Sequence, residues 1–301
     1  MQRSREKFAS DRTPCPGLTV IYTTEIRSNS GGGRTHLGGM RIDAESAEAE
    51  FMYQYETNAP ASLEVTAARL HGGVVLHMRH DPIHYWSKAL GFTDVATPDL
   101  VDRVLDFYRS QNASSATLQF APDLLPDDFP RIAASRGLTE AGSLVKLGGE
   151  VDEIPPIATD LRIGRVAEED AAAWGELIMA SFGAPGTPLS QMLANSVARP
   201  GFQTFAAWDG ATMVAGGNLF VHGDVASINT GGTLPTHRGR GAQSALIAAR
   251  MGAARDAGCR WVFAEAGLAS PGEANSSVDN LRRAGLDVLY QRPNWRWSRD
   301  A

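Results

Sequence analysis

Between residues 231 and 250 the chain reads GGTLPTHRGRGAQSALIAAR. An apolar, β-branched run ends at Leu234, a loop punctuated by Gly239 and Gly241 carries Arg238 and Arg240, and a helical pattern opens at Gly241. These residue types in this order make an anion site. The first amides of a helix have no intrahelical acceptor and lie at the positive end of its dipole. Glycines let backbone close on a ligand, and guanidinium groups grip phosphate oxygens in pairs. Taken alone, the loop has two other readings: a left-handed turn with two solvated arginines, or a phosphate loop of an unrelated nucleotide-binding fold.

Other clusters offer less chemistry. His77, His80 and His84 fall within HMRHDPIHYW. Pro82 breaks any helix that would align them, and no acid or cysteine cluster completes a ligand set, so they read as a strand end and loop lining a cleft. No metal is expected. The tract SNSGGGRTHLGG lacks the Lys-Ser/Thr pair of a phosphate loop and reads as a linker or loop. The closing run RPNWRW (292–297) is aromatic and basic, but a final strand packing two tryptophans on the core suits it better than a base-stacking surface.

The elements that must position these residues follow from pattern. Strands are expected at 17–24, at 65–79 with a hairpin or bulge at Gly72-Gly73, at 116–120 and at 144–147. Helices are expected at 43–55, at 97–108 behind the start signal Thr97-Pro98-Asp99, and at 127–135. Residues 148–160, with two prolines and two glycines, read as an interdomain linker. Beyond it come strand 161–166, helices 168–182 and 188–197, and a hairpin of 203–208 and 213–221 about Asp209-Gly210. Then follow strand 225–234, helix 241–257, strand 260–266, helix 276–284 and strand 288–297. The helix–strand–helix–strand order of 97–147 echoes 241–297. The segment 131–147 aligns loosely with 279–295, as expected of one fold copied twice; chance likeness of two α/β halves is the alternative.

The sequence Arg238-Gly239-Arg240-Gly241-Ala242-Gln243, between a strand and a long helix, resembles the Arg/Gln-x-x-Gly-x-Gly/Ala loop of the GNAT superfamily of coenzyme A-dependent acyltransferases. Gln243 stands where that pattern has a small residue. The resemblance implies an α/β (α+β) GNAT fold, a mixed central sheet flanked by helices, in two tandem copies. The first, 1–150, would be degenerate and carry an N-terminal extension; the second, 160–301, would be the transferase domain. It further implies that the loop holds the diphosphate of acetyl-CoA, and that the strand through Thr233 and Leu234 splays from strand 260–266. Pantetheine would lie in the gap, with the Leu234 N–H on the thioester carbonyl. Asn275 and Asn280 would contact the pantetheine arm, unless they only cap the helix.

By the same resemblance Leu281 occupies the place where many relatives have a general-acid tyrosine. Glu265, late in its strand, becomes the candidate general base and Tyr290 the candidate acid; a surface-facing strand Glu and a packing Tyr are the alternatives. The loop before residue 97, SKALGFTDVATP, is neither Gly-rich nor basic, so a single cofactor site is expected, in the second half.

The whole chain sets bounds. At 301 residues and 43% hydrophobic content, two domains can each bury a core. A net charge of -6 argues against nucleic acid as a partner. Two distant cysteines, Cys15 and Cys259, and the absence of a long apolar run point to a cytoplasmic protein with no membrane contact. The acceptor would be a small-molecule or peptide amine, and a homodimer stays open. The rival functions are an acyl-CoA-binding sensor or partner module without catalysis, and a transferase using another acyl donor.

Overall fold

Start signals and apolar spacing place the helices. In the computed structural model, which describes residues 33–155, 157–268 and 275–299, the Thr97 hydroxyl accepts from the Leu100 N–H at 3.3 Å. Helix α2 (Pro98–Ser110) then buries Leu100, Val101, Val104, Leu105 and Tyr108 along one face. The other helices are α1 (Gly33–Thr57), α3 (Phe129–Ala134), α4 (Ala171–Ser181), α5 (Pro188–Ala194), α6 (Ala242–Asp256) and α7 (Ser276–Arg283). Helix α1 takes in 33–39, which the sequence suggested as loop: once its later turns pack, earlier residues join for one hydrogen bond each. The strand expected at 17–24 lies outside the described residues.

The strands are β1 (Val65–Leu70), β2 (Gly73–Met78), β3 (Lys88–Leu90), β4 (Ser115–Gln119), β5 (Leu138–Glu150) and β6 (Arg162–Arg165). They continue as β7 (Phe202–Asp209), β8 (Thr212–His222), β9 (Val225–Thr233), β10 (Trp261–Gly267) and β11 (Asp287–Ser298). Two differ from expectation. β3 was read as loop, being only three residues long; β5 extends well past 144–147 because its outer residues are polar and exposed although paired.

All eleven form one sheet in the order β1-β2-β3-β4-β11-β5-β10-β9-β8-β7-β6. The order shows the duplication. On one side β3 runs parallel to β4, which meets β11 antiparallel; on the other β9 runs parallel to β10, which meets β5 antiparallel. Each half therefore lends its last strand to the other half's sheet. The two lent strands pair with each other from Asp287↔Gly148 to Trp297↔Leu138. The chain passes between halves after Glu150, where β5 ends, and re-enters the sheet at Arg162.

Helix α1 lies across this joint. It packs Phe51, Met52 and Tyr55 in one cluster with Trp86 and Leu90 of the first half and Trp174, Ile178 and Phe220 of the second. Trp174 is fully buried, and its indole N–H donates to the Phe205 carbonyl at 3.1 Å. Among the described residues no helix is long and apolar enough to cross a membrane.

Candidate active site

The loop before α6 is held open by two glycines. Gly239 and Gly241 both have φ of 77°, in the left-handed region where a side chain is strained. Gly241 is the N-cap of α6, and the first paired amide of the helix is that of Ala245, which donates to the Gly241 carbonyl at 3.0 Å. The amides of residues 239–244 meet no acceptor among the described residues. Unpaired donors in sequence at a helix start, beside the positive end of its dipole, are what an oxyanion cluster requires.

The two arginines of the loop part company. Arg238 is exposed, and its guanidinium makes no hydrogen bond or ion pair among the described residues. Arg240 is occupied: it binds Asp160, and Asp209 at 2.6 Å, while its carbonyl accepts from the Thr159 hydroxyl at 2.8 Å. The bonds from Asp209 and Asp160 raise its pKa. Arg240 therefore ties the loop to the interdomain segment and to the β7–β8 hairpin, where the sequence suggested a grip on phosphate.

Three other expected cofactor contacts are also occupied. The Leu234 N–H donates to the Val214 carbonyl at 3.0 Å, because β9 is still bound to β8 there; it is not a free oxyanion donor. The Asn275 carboxamide oxygen caps α7, accepting from Ser277 N and Val278 N, and its nitrogen donates to the Gly267 carbonyl. Asn280 donates to Gln243 at 2.6 Å and accepts from Ser244 at 3.2 Å, and Gln243 in turn donates to Ser277 at 3.1 Å. Gln243 thus turns its side chain onto α7, so its bulk locks two helices together. Thr233, Arg238, Gly239, Gly241, Ala242 and Gln243 line a groove of about 600 Å³.

The strand gap also forms. β9 pairs with β10 only from Val225↔Trp261 to Ile228↔Ala264. A bulge then interrupts the β8–β9 ladder, with Thr230 at φ 51°. Arg250 of α6 sits beneath it, buried. Its Nε donates to the Leu246 carbonyl, and its Nη1 to the carbonyls of Asn218 and Asn229, each at 3.2 Å. It meets no carboxylate among the described residues, and burial brings its pKa down to about 10. This bulge clamp escaped sequence reasoning; the signal was an arginine on the apolar face of α6, four residues after Leu246.

Beyond the gap lies a second chamber of about 570 Å³, which meets the groove at Phe182, Gly231 and Ser277. Glu265 of β10 lines it, among a buried charge cluster drawn from both halves. Lys146 of β5 stands directly opposite Glu265, 3.3 Å from its Oε2. Arg292 of β11, fully buried, binds Glu265, Glu45 at 2.7 Å and Glu48 at 2.8 Å, the last two from α1; Lys146 also binds Glu48. Burial works to raise the Glu48 carboxyl, but Arg292 and Lys146 overcome it and hold it far below the ordinary range. Glu265 is the opposite case: burial raises it, and Arg292 offsets that only in part. Its Oε1 makes no hydrogen bond among the described residues.

Tyr290 is misplaced for an acid. Its hydroxyl donates to Glu45 at 2.6 Å, it lines neither cavity, and burial followed by the Glu45 charge pushes its pKa far up. Leu281, where the resemblance has a tyrosine, is buried in the core beneath α7. His77 pairs with Ser87 and His80 with Glu64, and no group of three or more His, Cys, Asp or Glu side chains placed to hold a metal occurs among the described residues.

The equivalent helix start in the first half is closed. Thr97 caps α2 with its own side chain, Pro98 has no N–H, and the Ala96 and Thr97 amides donate to Leu124 and Val95 carbonyls. No anion cradle survives there.

Comparison with known proteins agrees with this geometry. No protein-family model matches the chain, and no curated protein matches it significantly. Solved structures do. A GCN5-related N-acetyltransferase from Kribbella flavida superposes with a TM-score of 0.58 at 15% identity, over 83% of this chain and 93% of that one. A GCN5-related N-acetyltransferase from Sphaerobacter thermophilus gives 0.55 at 15% identity, over 78% and 76%. A tandem GNAT protein from the clavulanic acid biosynthesis pathway gives 0.54 at 14% identity, over 88% and 96%. Sequence likeness this low speaks to fold, and the duplicated sheet speaks to its repetition: the chain has the GNAT fold, in tandem.

Proposed function

We propose that the chain moves an acetyl group from acetyl-CoA to an amine bound in the chamber at the joint of the two halves. The observation that carries this is the run of amides at residues 239–244 and the neighbouring Arg238 guanidinium, none of them paired among the described residues, opening on a groove that leads to the strand gap. A coenzyme A diphosphate fits that donor set: the amides offer hydrogen bonds, Arg238 offers a bidentate charge, and glycine at 239 and 241 keeps the backbone bare. Acetyl-CoA supplies an activated thioester, so that a carbon–nitrogen bond forms as the carbon–sulfur bond breaks and the thiolate leaves with the electron pair. The N-acetyltransferase structures that share this fold support the reading.

The chain's own groups then have separate tasks. Arg238 and the amides hold the anion. Arg250 fixes the bulge that turns β9 away from β10 and so keeps the gap open. Glu265 takes the proton from the acceptor nitrogen through its unpartnered Oε1. Its raised pKa makes it a better base than an ordinary carboxylate, while Arg292 and Lys146 orient it through Oε2. In this reading residues 160–301 form the cofactor-binding copy and residues 1–150 the degenerate copy, which builds the acceptor wall through α1.

A second reading is a binding module without turnover, favoured by the buried Leu281 in place of a tyrosine and by the two cations on Glu265. Calorimetric titration with coenzyme A and acetyl-CoA, followed by thiol release over a panel of amines, separates the cases. Saturable binding with turnover supports the transferase; binding without turnover on any amine supports the module. Absence of binding at millimolar coenzyme A refutes both.

A further inference from the structure

The chamber beside Glu265 is divided in character. Its wall is aromatic and apolar, with Phe51 and Met52 from α1, Tyr85 and Trp86 from the loop before β3, Phe182 after α4, and Phe263 from β10. Its rim is unusual for a protein surface. Ile83, Tyr85 and Phe182 are 39%, 44% and 60% exposed, and all three turn to this one opening. Large apolar side chains left in water and converging on a cavity mark a surface kept for an apolar ligand.

The charged groups are confined to one part of the lining, at Glu48, Lys146 and Glu265. They belong to a cluster in which three carboxylates (Glu45, Glu48, Glu265) face two cations (Lys146, Arg292), leaving one negative charge in excess. Of the buried groups nearby, Glu56 keeps its proton and adds no charge, and Lys88 lies with its ammonium 3.3 Å from the centre of the Tyr85 ring.

We infer that the acceptor is a primary amine on an aromatic-sized apolar body, an arylalkylamine in chemical class, which lays its ring against the Phe51–Trp86 wall and its nitrogen at Glu265 Oε1. This rests on the transferase reading and narrows its substrate. A volume of about 570 Å³ accommodates a one- or two-ring body with a short alkyl arm. An amino sugar or polyamine would set much of its polar surface against this apolar wall, because the neutral polar lining comes only from β9 (Ser227, Asn229, Thr230) and the start of α7 (Asn275, Ser277).

The test uses the full chain. Calorimetry with coenzyme A present measures binding of 2-phenylethylamine, and thiol release with saturating acetyl-CoA compares 2-phenylethylamine and tryptamine with spermidine and glucosamine. The arylalkylamines should lead in kcat/KM by about 100-fold. Tyr85→Ala, at the exposed rim, and Trp86→Ala should each raise their KM by about tenfold with the coenzyme A affinity unchanged. Equal or better turnover of spermidine or glucosamine, with coenzyme A still bound, overturns this inference and leaves the transferase reading standing. So does an unchanged arylalkylamine KM in folded Tyr85→Ala and Trp86→Ala. Failure to bind coenzyme A at all overturns both.

Discussion

Arg238 and Arg240 sit two residues apart; the structure pairs Arg240 with Asp160 and Asp209, the proposed function gives the phosphate to Arg238, and substitution can separate the two. Arg238→Ala removes an exposed guanidinium that makes no hydrogen bond or ion pair among the described residues. Folding stability should therefore stay within about 0.5 kcal/mol of the parent. A charge-assisted hydrogen bond to a phosphate is worth about 1.5–3 kcal/mol, and 1.4 kcal/mol is a factor of ten, so coenzyme A affinity should fall about 10- to 150-fold. The loss should shrink as salt rises, because the contact is exposed. Arg240→Ala should do the reverse. It releases Asp160, Asp209 and the segment they anchor, so the melting temperature falls, while coenzyme A affinity drops only as far as the loop loosens. Isothermal titration at low and high salt, with a melt of each variant, reads both effects. If Arg238→Ala binds coenzyme A within threefold of the parent while Arg240→Ala abolishes binding in a folded protein, the anion site has been placed on the wrong arginine.

Other outcomes follow from the same geometry. Gly241→Ala forces a side chain into φ 77° and brings its Cβ to 3.2 Å from the Ala158 carbonyl, so urea titration should show a loss of about 1–2 kcal/mol with weakened coenzyme A binding. Arg292→Met leaves three buried carboxylates facing only Lys146, and equilibrium denaturation should show a loss of about 3–5 kcal/mol. Glu56 is fully buried, neither oxygen has a hydrogen-bond partner among the described residues, and burial holds its pKa well above 4.5. The folded state thus keeps a proton that the unfolded chain releases: its contribution to stability is complete below pH 4.5 and is lost as pH rises toward the raised folded value. Glu56→Gln mimics the protonated form, so parent and variant should match near pH 4 and the variant should be the more stable at pH 8. Parallel urea midpoints across that range would exclude a protonated Glu56.

Much of the fold was legible because local signals and final structure agree. Thr97-Pro98 starts α2, the turn after Asp209 makes the β7–β8 hairpin, and the loop at 238–241 ends a strand and opens a helix. Each depends on neighbours in sequence: a cap, a glycine at positive φ, an apolar period. The short β3 and the outer half of β5 were hidden because a strand held by its partners needs no apolar alternation of its own.

The residues themselves determined the duplication, the glycine loop that opens α6 and the closed helix start of the first half, since backbone donors and their caps are local matters. Tertiary structure alone decided which groups were still free to act. Asp160 and Asp209 are far from Arg240 in sequence, Val214 from Leu234, and Glu45 from Tyr290, and each pairing occupies a candidate group. The run AESAEAE of α1 looks like a solvated face, yet Glu45 and Glu48 point inward to Lys146 and Arg292, cations set within otherwise paired strands. A charge is stable in the interior only beside its counterpart, and which counterpart it meets is settled by the exchange of β5 and β11 between the halves.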